Sequence, residues 1–217
     1  MKAFDLWKDL SSLILEVQEF VKENDLSKFT IESTILKRAS IRNKVQNISD
    51  NIRKLYNAKI AKYCIFGLVV WLDEIMSEPY EQAPHPWPIL QQEIFKTTEG
   101  GVVFYEYLDE VILNPFYPRF IYQFYYCMLK GGYKGKYVQD SQYVIQNYLT
   151  RLEEILGYNS ELKSADKDNI NYEPFVGESR SIKILQGMKL CLNKYYTLFA
   201  ISGLGFLYLL FLGILYV

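Results

Sequence analysis

Apolar residues recur every three or four positions in the first part of the chain, with polar residues between them. Over residues 4–22 this spacing places the apolar side chains on one face of a helix. A second pattern of the same kind follows Thr30, whose hydroxyl suits a helix N-cap. The two predicted stripes are Leu6, Leu10, Leu13, Val17 and Phe20, and Ile41, Val45, Ile48, Ile52 and Leu55.

Residues 60–76 are apolar on nearly every side until Asp73. A helix of this kind needs neighbours all round it, so the pattern predicts a central helix. A buried strand is the alternative for 64–72, but the flanking helical patterns and the lack of a partner strand favour the helix. Residues 77–88 contain four prolines and predict an irregular loop.

Further helices are predicted near 88–97, over 102–113, from Pro118 onwards, and over 138–156 with Gly157 just beyond the last helix. The sequence therefore predicts an all-α bundle of six or more helices. The side chains expected to face inward from the last helix are Tyr143, Val144, Tyr148, Leu152 and Ile155.

The chain ends in an apolar segment, residues 195–217, that contains no ionisable side chain. As a helix it reaches about 34 Å, enough to cross a bilayer; a buried core helix is the alternative. Basic residues at 180, 183, 189 and 194 precede it, and the positive-inside rule keeps that side in the cytoplasm. The predicted divisions are a cytoplasmic helical domain at 1–157, a linker at 158–180, a juxtamembrane helix at 181–194 and a transmembrane anchor at 195–217, with a periplasmic C-terminus.

Composition narrows the range of functions. The net charge of −1 does not favour nucleic-acid binding, which needs a concentrated basic surface. The single histidine and three widely separated cysteines lack the spacing of a zinc site, and no cofactor motif is present. Gly135-Lys136 is followed by Tyr137 instead of serine or threonine, so it does not form a phosphate-binding loop.

Asp73 and Glu74 are the most informative charged pair. A helix places Asp73 against apolar side chains, where an ionised carboxylate needs a cation, backbone donors or water. Three roles follow: a structural carboxylate held by such donors, part of a cleft for a protein partner, or acid–base catalysis. Neighbouring side chains on a helix point about 100° apart, which disfavours catalysis by the pair at one atom.

Tyrosines are unusually dense between residues 105 and 133. A core with hydroxyls at its rim is one interpretation, and a protein-binding face is the other. We predict the binding face because so many rings exceed what one small core hides. The tyrosines are Tyr105, Tyr107, Tyr117, Tyr122, Tyr125, Tyr126 and Tyr133.

The order of several short motifs resembles the DotU/IcmH/TssL family of bacterial secretion systems. An LDE sequence at 72–74 closes an apolar helix, a proline-rich loop with Trp87 follows, and Gly100-Gly101 comes next. The segment GGYKGKY then resembles the family's glycine-containing turn. Its matched residues are Gly132, Gly135, Lys136 and Tyr137.

This resemblance implies a hook-like cytoplasmic bundle of two three-helix sub-bundles, tail-anchored in the inner membrane. It implies a scaffold of a type VI secretion system that binds an IcmF/TssM-like protein and recruits baseplate components, with Asp73 and Glu74 in the partner cleft. A homodimer is a further expectation. The alternatives are the equivalent component of a type IVB system and, from another class, a membrane-tethered enzyme that uses the two carboxylates.

Overall fold

The computed structural model describes residues 3–22, 29–81, 83–137 and 142–158. These residues form helices and connecting loops without any strand, which confirms the predicted all-α class. A short 3₁₀ turn occupies Gly135–Tyr137. The α-helices are α1 (Ala3–Lys22), α2 (Ile31–Leu55), α3 (Ala58–Tyr80), α4 (Leu90–Phe95), α5 (Gly100–Leu113), α6 (Arg119–Lys130) and α7 (Gln142–Leu156).

The first two helices follow the predicted stripes. In α1 the stripe from Leu6 to Val17 is buried, and in α2 the buried side chains include Ile41 and Ile52. Thr30 is the N-cap of α2, and its hydroxyl accepts a hydrogen bond from the Ser33 backbone N–H at 3.1 Å. A residue of this type at the N-cap stabilises a helix by about 1 kcal/mol.

Helix α3 lies at the centre of the molecule and packs against α1, α2, α4, α5 and α6. Apart from the exposed Lys62, its side chains are buried on all sides from Ile60 to Asp73, as the nearly continuous apolar pattern predicts. The predicted loop at 77–88 is wrong in its first part, because α3 continues through Pro79 to Tyr80. Proline removes one backbone donor there, while the buried Tyr80 hydroxyl hydrogen-bonds with Thr34 at 2.7 Å and holds the last turn against α2.

The structure shifts the predicted start of α6 by one residue. Pro118 precedes the helix as its cap, and Arg119 is the first helical residue. At the other end α6 stops at a left-handed Gly132 with φ of +95°. The Gly132 N–H donates to Leu129 and the Tyr133 N–H to Met128, which is the Schellman pattern that closes a helix.

Helix α7 buries only part of the predicted face. Leu152 is buried and Tyr148 is partly buried against the core, as predicted, but Tyr143 is 78% exposed and Ile155 is also exposed. Leu149 and Leu156 are buried in their place. The segment carries two overlapping stripes at helical spacing, and the more aliphatic one packs on α6. Gly157 follows with φ of +69°, as predicted for a residue just beyond the helix.

The prediction of a tyrosine-rich binding face is also wrong. Tyr105, Tyr125 and Tyr133 are fully buried, and Tyr122 and Tyr126 lie in the core with them. The hydroxyls reach internal acceptors: Tyr105 donates to the Lys134 carbonyl at 3.0 Å and Tyr125 to the Tyr63 carbonyl at 3.3 Å. Rings therefore fill the core while their hydroxyls satisfy loop and helix carbonyls.

The predicted juxtamembrane helix at 181–194 and the anchor at 195–217 lie outside the described residues, as does all of the predicted linker except Tyr158. Among the described helices, none combines the length and the apolar composition that a membrane crossing requires.

Candidate functional site

Asp73 is a buried carboxylate that holds the proline-rich loop and the start of α4. Its side chain is 2% exposed and accepts hydrogen bonds from Trp87 Nε1 at 2.9 Å and from the backbone N–H groups of Leu90 and Gln91, each at 2.8 Å. Burial raises the pKa of the Asp73 carboxyl, and the three hydrogen bonds oppose that shift. Asp73 is therefore supported by neutral donors, one of the arrangements expected from the sequence.

Glu74 points away from Asp73 and holds a different loop. Its two carboxylate oxygens accept hydrogen bonds from the backbone N–H groups of Lys134 at 3.3 Å and Gly135 at 3.1 Å. Consecutive residues on α3 thus fix two loops that are distant in sequence. Their divergence agrees with the helical geometry that makes joint action on one atom unfavourable.

The GGYKGKY segment is a rigid turn that packs on α5. Gly135 has φ of +53°, a conformation that favours glycine, and it allows the backbone to face Glu74. The ring of Tyr137 meets the ring of Tyr105 edge to face at 4.6 Å. The Lys136 ammonium lies over both rings, 5.6 Å from the Tyr105 centroid and 5.1 Å from that of Tyr137.

The paired glycines at the start of α5 permit close packing against this turn. The Gly100 N–H donates to Gln91 Oε1 at 2.9 Å. A Cβ atom at Gly101 would lie 2.8 Å from the backbone nitrogen of Lys136 and 3.0 Å from the carbonyl carbon of Gly135. Because both neighbours are backbone atoms, a side chain at position 101 forces α5 and the turn apart.

These segments border an open groove of about 200 Å³, called here the groove. Asp73, Glu74, Gly101 and Gly135 line it, and Trp87 and Gly100 contact lining residues as described above. The turn residues Gly132, Lys136 and Tyr137 flank it without lining it. The lining residues are Val70, Asp73, Glu74, Ser77, Ile89, Gln91, Gly101, Tyr133 and Gly135.

Several contributing residues were not predicted from sequence. Gln91 bridges α4 to α5 through Gly100, and Glu93 pairs with Arg38 at 2.7 Å and with Arg42 at 3.0 Å. The only sequence signal for the two ion pairs of Glu93 is charge, and exposed charges occur throughout α2. Arg38 and Arg42 lie about fifty residues from Glu93 in the chain, too far for any local pattern to reveal.

The arrangement is suited to binding more than to catalysis. Asp73 already accepts three hydrogen bonds, and Glu74 accepts two from the backbone, so proton transfer by either carboxylate would disrupt the loops that it holds. What remains accessible is a shaped, mixed polar and apolar surface built on fixed backbone.

The sequence profile of the family described as "Type VI secretion system protein DotU" matches residues 5–217. The chain belongs to this DotU family, a family of secretion-system components. Among solved structures, DotU from Francisella novicida has the same fold, with a TM-score of 0.62 and 22% sequence identity over 71% of this chain and 99% of that chain. Comparison with curated proteins gives no significant sequence match.

Proposed function

We propose that this protein is a tail-anchored inner-membrane scaffold of a type VI secretion system, which binds an IcmF/TssM-like partner and recruits baseplate components. The family match supports this role, since it extends through the uncharged segment 195–217 as well as the helical domain. In this proposal the described helices lie in the cytoplasm, the last segment crosses the membrane and the C-terminus is periplasmic.

The groove is the proposed docking site, and one observation carries this assignment. Motif residues from four separate parts of the chain converge on it: the end of α3, the proline-rich loop, the start of α5 and the glycine-rich turn. The two carboxylates of α3 hold two of these parts, the proline-rich loop and the glycine-rich turn, and Gln91 holds the start of α5. A groove fixed in advance loses little conformational entropy when a partner binds.

An exposed apolar patch at the start of α2 extends the proposed binding surface. Ile31, Ile35 and Leu36 are all well exposed, although aliphatic side chains usually lie inside. Arg38 connects this part of α2 to the proline-rich loop through the Pro88 carbonyl at 2.8 Å. Apolar surface next to a polar groove is typical of protein interfaces.

The equivalent role in a type IVB system is the alternative, and the type VI wording of the family description favours the first proposal. The neighbouring genes test this choice. An IcmF-like gene together with genes for a contractile sheath is expected beside a type VI component, and type IVB genes without a sheath would support the alternative.

The docking site is tested by filling the groove without breaking its supports. Charge reversal at Asp73 would unfold the surrounding loops, so Ser77, which lines the groove, is the better position. We expect S77R in the full chain to lose co-purification with baseplate components and to abolish secretion. Ser12, in a second groove between α1 and α2, provides the matched control S12R.

Both variants must retain the thermal unfolding midpoint of the unmodified chain and remain in the membrane after carbonate extraction. If S77R binds its partners normally, the groove is not the docking site. The anchor is tested separately by deleting 195–217, which we expect to release the protein from membranes.

A further inference from the structure

The loop between α5 and α6, taken together with the last residue of α5 and the first of α6 (residues 113–119), presents large apolar side chains to solvent and is called here the tip. Leu113 is 75% exposed and Phe116 is 93% exposed. The tip has a defined shape, because the Phe116 N–H donates to the Asn114 side chain at 3.1 Å and the Tyr122 hydroxyl donates to the Asn114 carbonyl. An ordered loop with an exposed phenylalanine indicates an interaction surface for an apolar partner.

Helix ends from across the molecule meet beside the tip. Tyr56, at the end of α2, stacks on Phe120 at 5.2 Å, and Trp7 of α1 meets the same ring at 5.2 Å. Lys59 at the start of α3 pairs with Glu110 at the end of α5, 2.5 Å apart. Lys59 and Arg119 lie beside the tip: the Lys59 ammonium is 5.7 Å from the centroid of the Tyr117 ring, and Arg119 is the first residue of α6. Apolar side chains next to basic residues match the chemistry of an anionic lipid surface.

The chain also leaves the described helices at this end. Arg119 donates to the Leu156 carbonyl at 2.7 Å, and its guanidinium lies 5.7 Å from the ring of Tyr158. Residues 159–194 then separate Tyr158 from the uncharged segment. The groove lies at the opposite end, near the end of α3 and the start of α5.

We propose that the tip rests on the anionic cytoplasmic leaflet, with Leu113 and Phe116 inserted among the lipid headgroups and the basic residues around it facing phosphates. This inference rests on the proposed membrane anchoring. It adds an orientation: the tip directs one end of the bundle to the membrane and turns the groove towards the cytoplasm.

The test uses the full chain reconstituted in phosphatidylglycerol nanodiscs whose lipids carry bromine on the acyl chains, a quencher of tryptophan emission. F116W reports the tip, and I35W is the matched control, since Ile35 is an exposed apolar residue at the groove end. Difference spectra against the unmodified chain remove the signal of the three native tryptophans. We expect quenching and a blue shift for F116W and neither for I35W. Phosphatidylcholine or high salt should weaken the F116W signal because the basic residues contribute.

The outcomes separate the orientation from the anchor. If the chain resists carbonate extraction but F116W is not quenched, the orientation is wrong while the anchor stands. If carbonate extracts the chain, F116W is measured on anionic vesicles: quenching supports the tip without the anchor, and its absence overturns both. A blue shift of F116W that requires an added IcmF-like protein, and not lipid, would identify the tip as a protein contact and contradict the proposal.

Discussion

The two ends of the bundle are held together by different kinds of interaction. At the groove end, Asp73 and Glu74 bind backbone N–H groups of two loops, and Gly101 lets backbones touch. At the tip end, Phe120 packs between aromatic rings, and Glu110 binds the Lys59 ammonium and the Tyr63 hydroxyl.

The two kinds of interaction differ in how strictly their strength depends on geometry. Hydrogen bonds to a buried carboxylate have a narrow range of length and angle, so the groove end tolerates little displacement of its loops. Ring contacts and exposed ion pairs allow small adjustments at modest cost. A surface that must fit one protein partner is better built in the first way, and a surface that rests on fluid lipid can be built in the second.

The largest expected effect is the loss of the buried carboxylate. D73A leaves the Trp87 indole N–H and the Leu90 and Gln91 N–H groups without their acceptor, and we expect a loss of about 3–5 kcal/mol in unfolding free energy. Chemical unfolding of the full chain in detergent, followed by circular dichroism, measures this. E106A, at an exposed position of α5, is the control and should change little. A similarly small effect of D73A would mean that the hydrogen bonds do not hold the groove end together.

An intermediate effect is expected from a single methyl group at the groove. G101A places Cβ against the backbone of the turn and should cost about 1–3 kcal/mol. G67A is the matched control within α3, since the three atoms nearest to its Cβ belong to the side chains of Met128, Phe124 and Phe104, the closest at 3.2 Å, and not to backbone. Alanine also favours a helix interior by up to about 1 kcal/mol, so G67A should be nearly neutral. Equal losses in the same unfolding assay would contradict the role of Gly101.

The smallest effect concerns pH and contrasts the carboxylates of the two ends. The Lys59 hydrogen bond, with that of Tyr63, lowers the pKa of Glu110 below its ordinary value of 4.5, whereas burial raises that of Asp73. The stabilisation by Glu110 is therefore complete above about pH 4.5 and is lost as the pH falls through its lower folded-state pKa. For Asp73 the sign is opposite, and acidification through its raised pKa favours the folded state.

The measurement compares the unfolding midpoints of the unmodified chain and E110Q between about pH 7 and pH 3. We expect a modest difference near neutral pH that disappears in acid, because Glu110 is largely exposed. E106Q, at an exposed position of the same helix, is the matched control. If the difference in unfolding midpoint between E110Q and the unmodified chain stays constant with pH, the effect of Glu110 is due to packing and not to charge.

Local patterns in the sequence predicted where the helices lie better than they predicted which side of each helix is buried. The N-cap at Thr30, the stripes of α1 and α2 and the central position of α3 all follow from spacing and residue type. The face of α7 was predicted only in part: Leu152 is buried as expected, but two stripes overlap there and packing on α6 decides between them. The extension of α3 through Pro79 depends on a contact between Tyr80 and Thr34, which lie far apart in the chain.

The candidate site was predicted in composition but not in geometry. Burial of Asp73 could be inferred from its apolar neighbours on the helix, and with it the need for donors. Which groups donate hydrogen bonds to Asp73 depends on how the proline-rich loop and the start of α4 pack against α3. The same holds for Glu74 and the glycine-rich turn, whose contacts join residues some sixty positions apart.

The attachment of Trp87 and Leu90 to Asp73 has a consequence for how this protein can change over evolutionary time. Tyr80 ends α3, and Trp87 and Leu90 donate hydrogen bonds to Asp73 of the same helix, so the described residues 83–86 between these points form a strap. Insertions or replacements within this strap change the shape of the surface there without displacing α3 or α4. New recognition specificities could therefore arise there, beside the groove, while the architecture beneath remains the same.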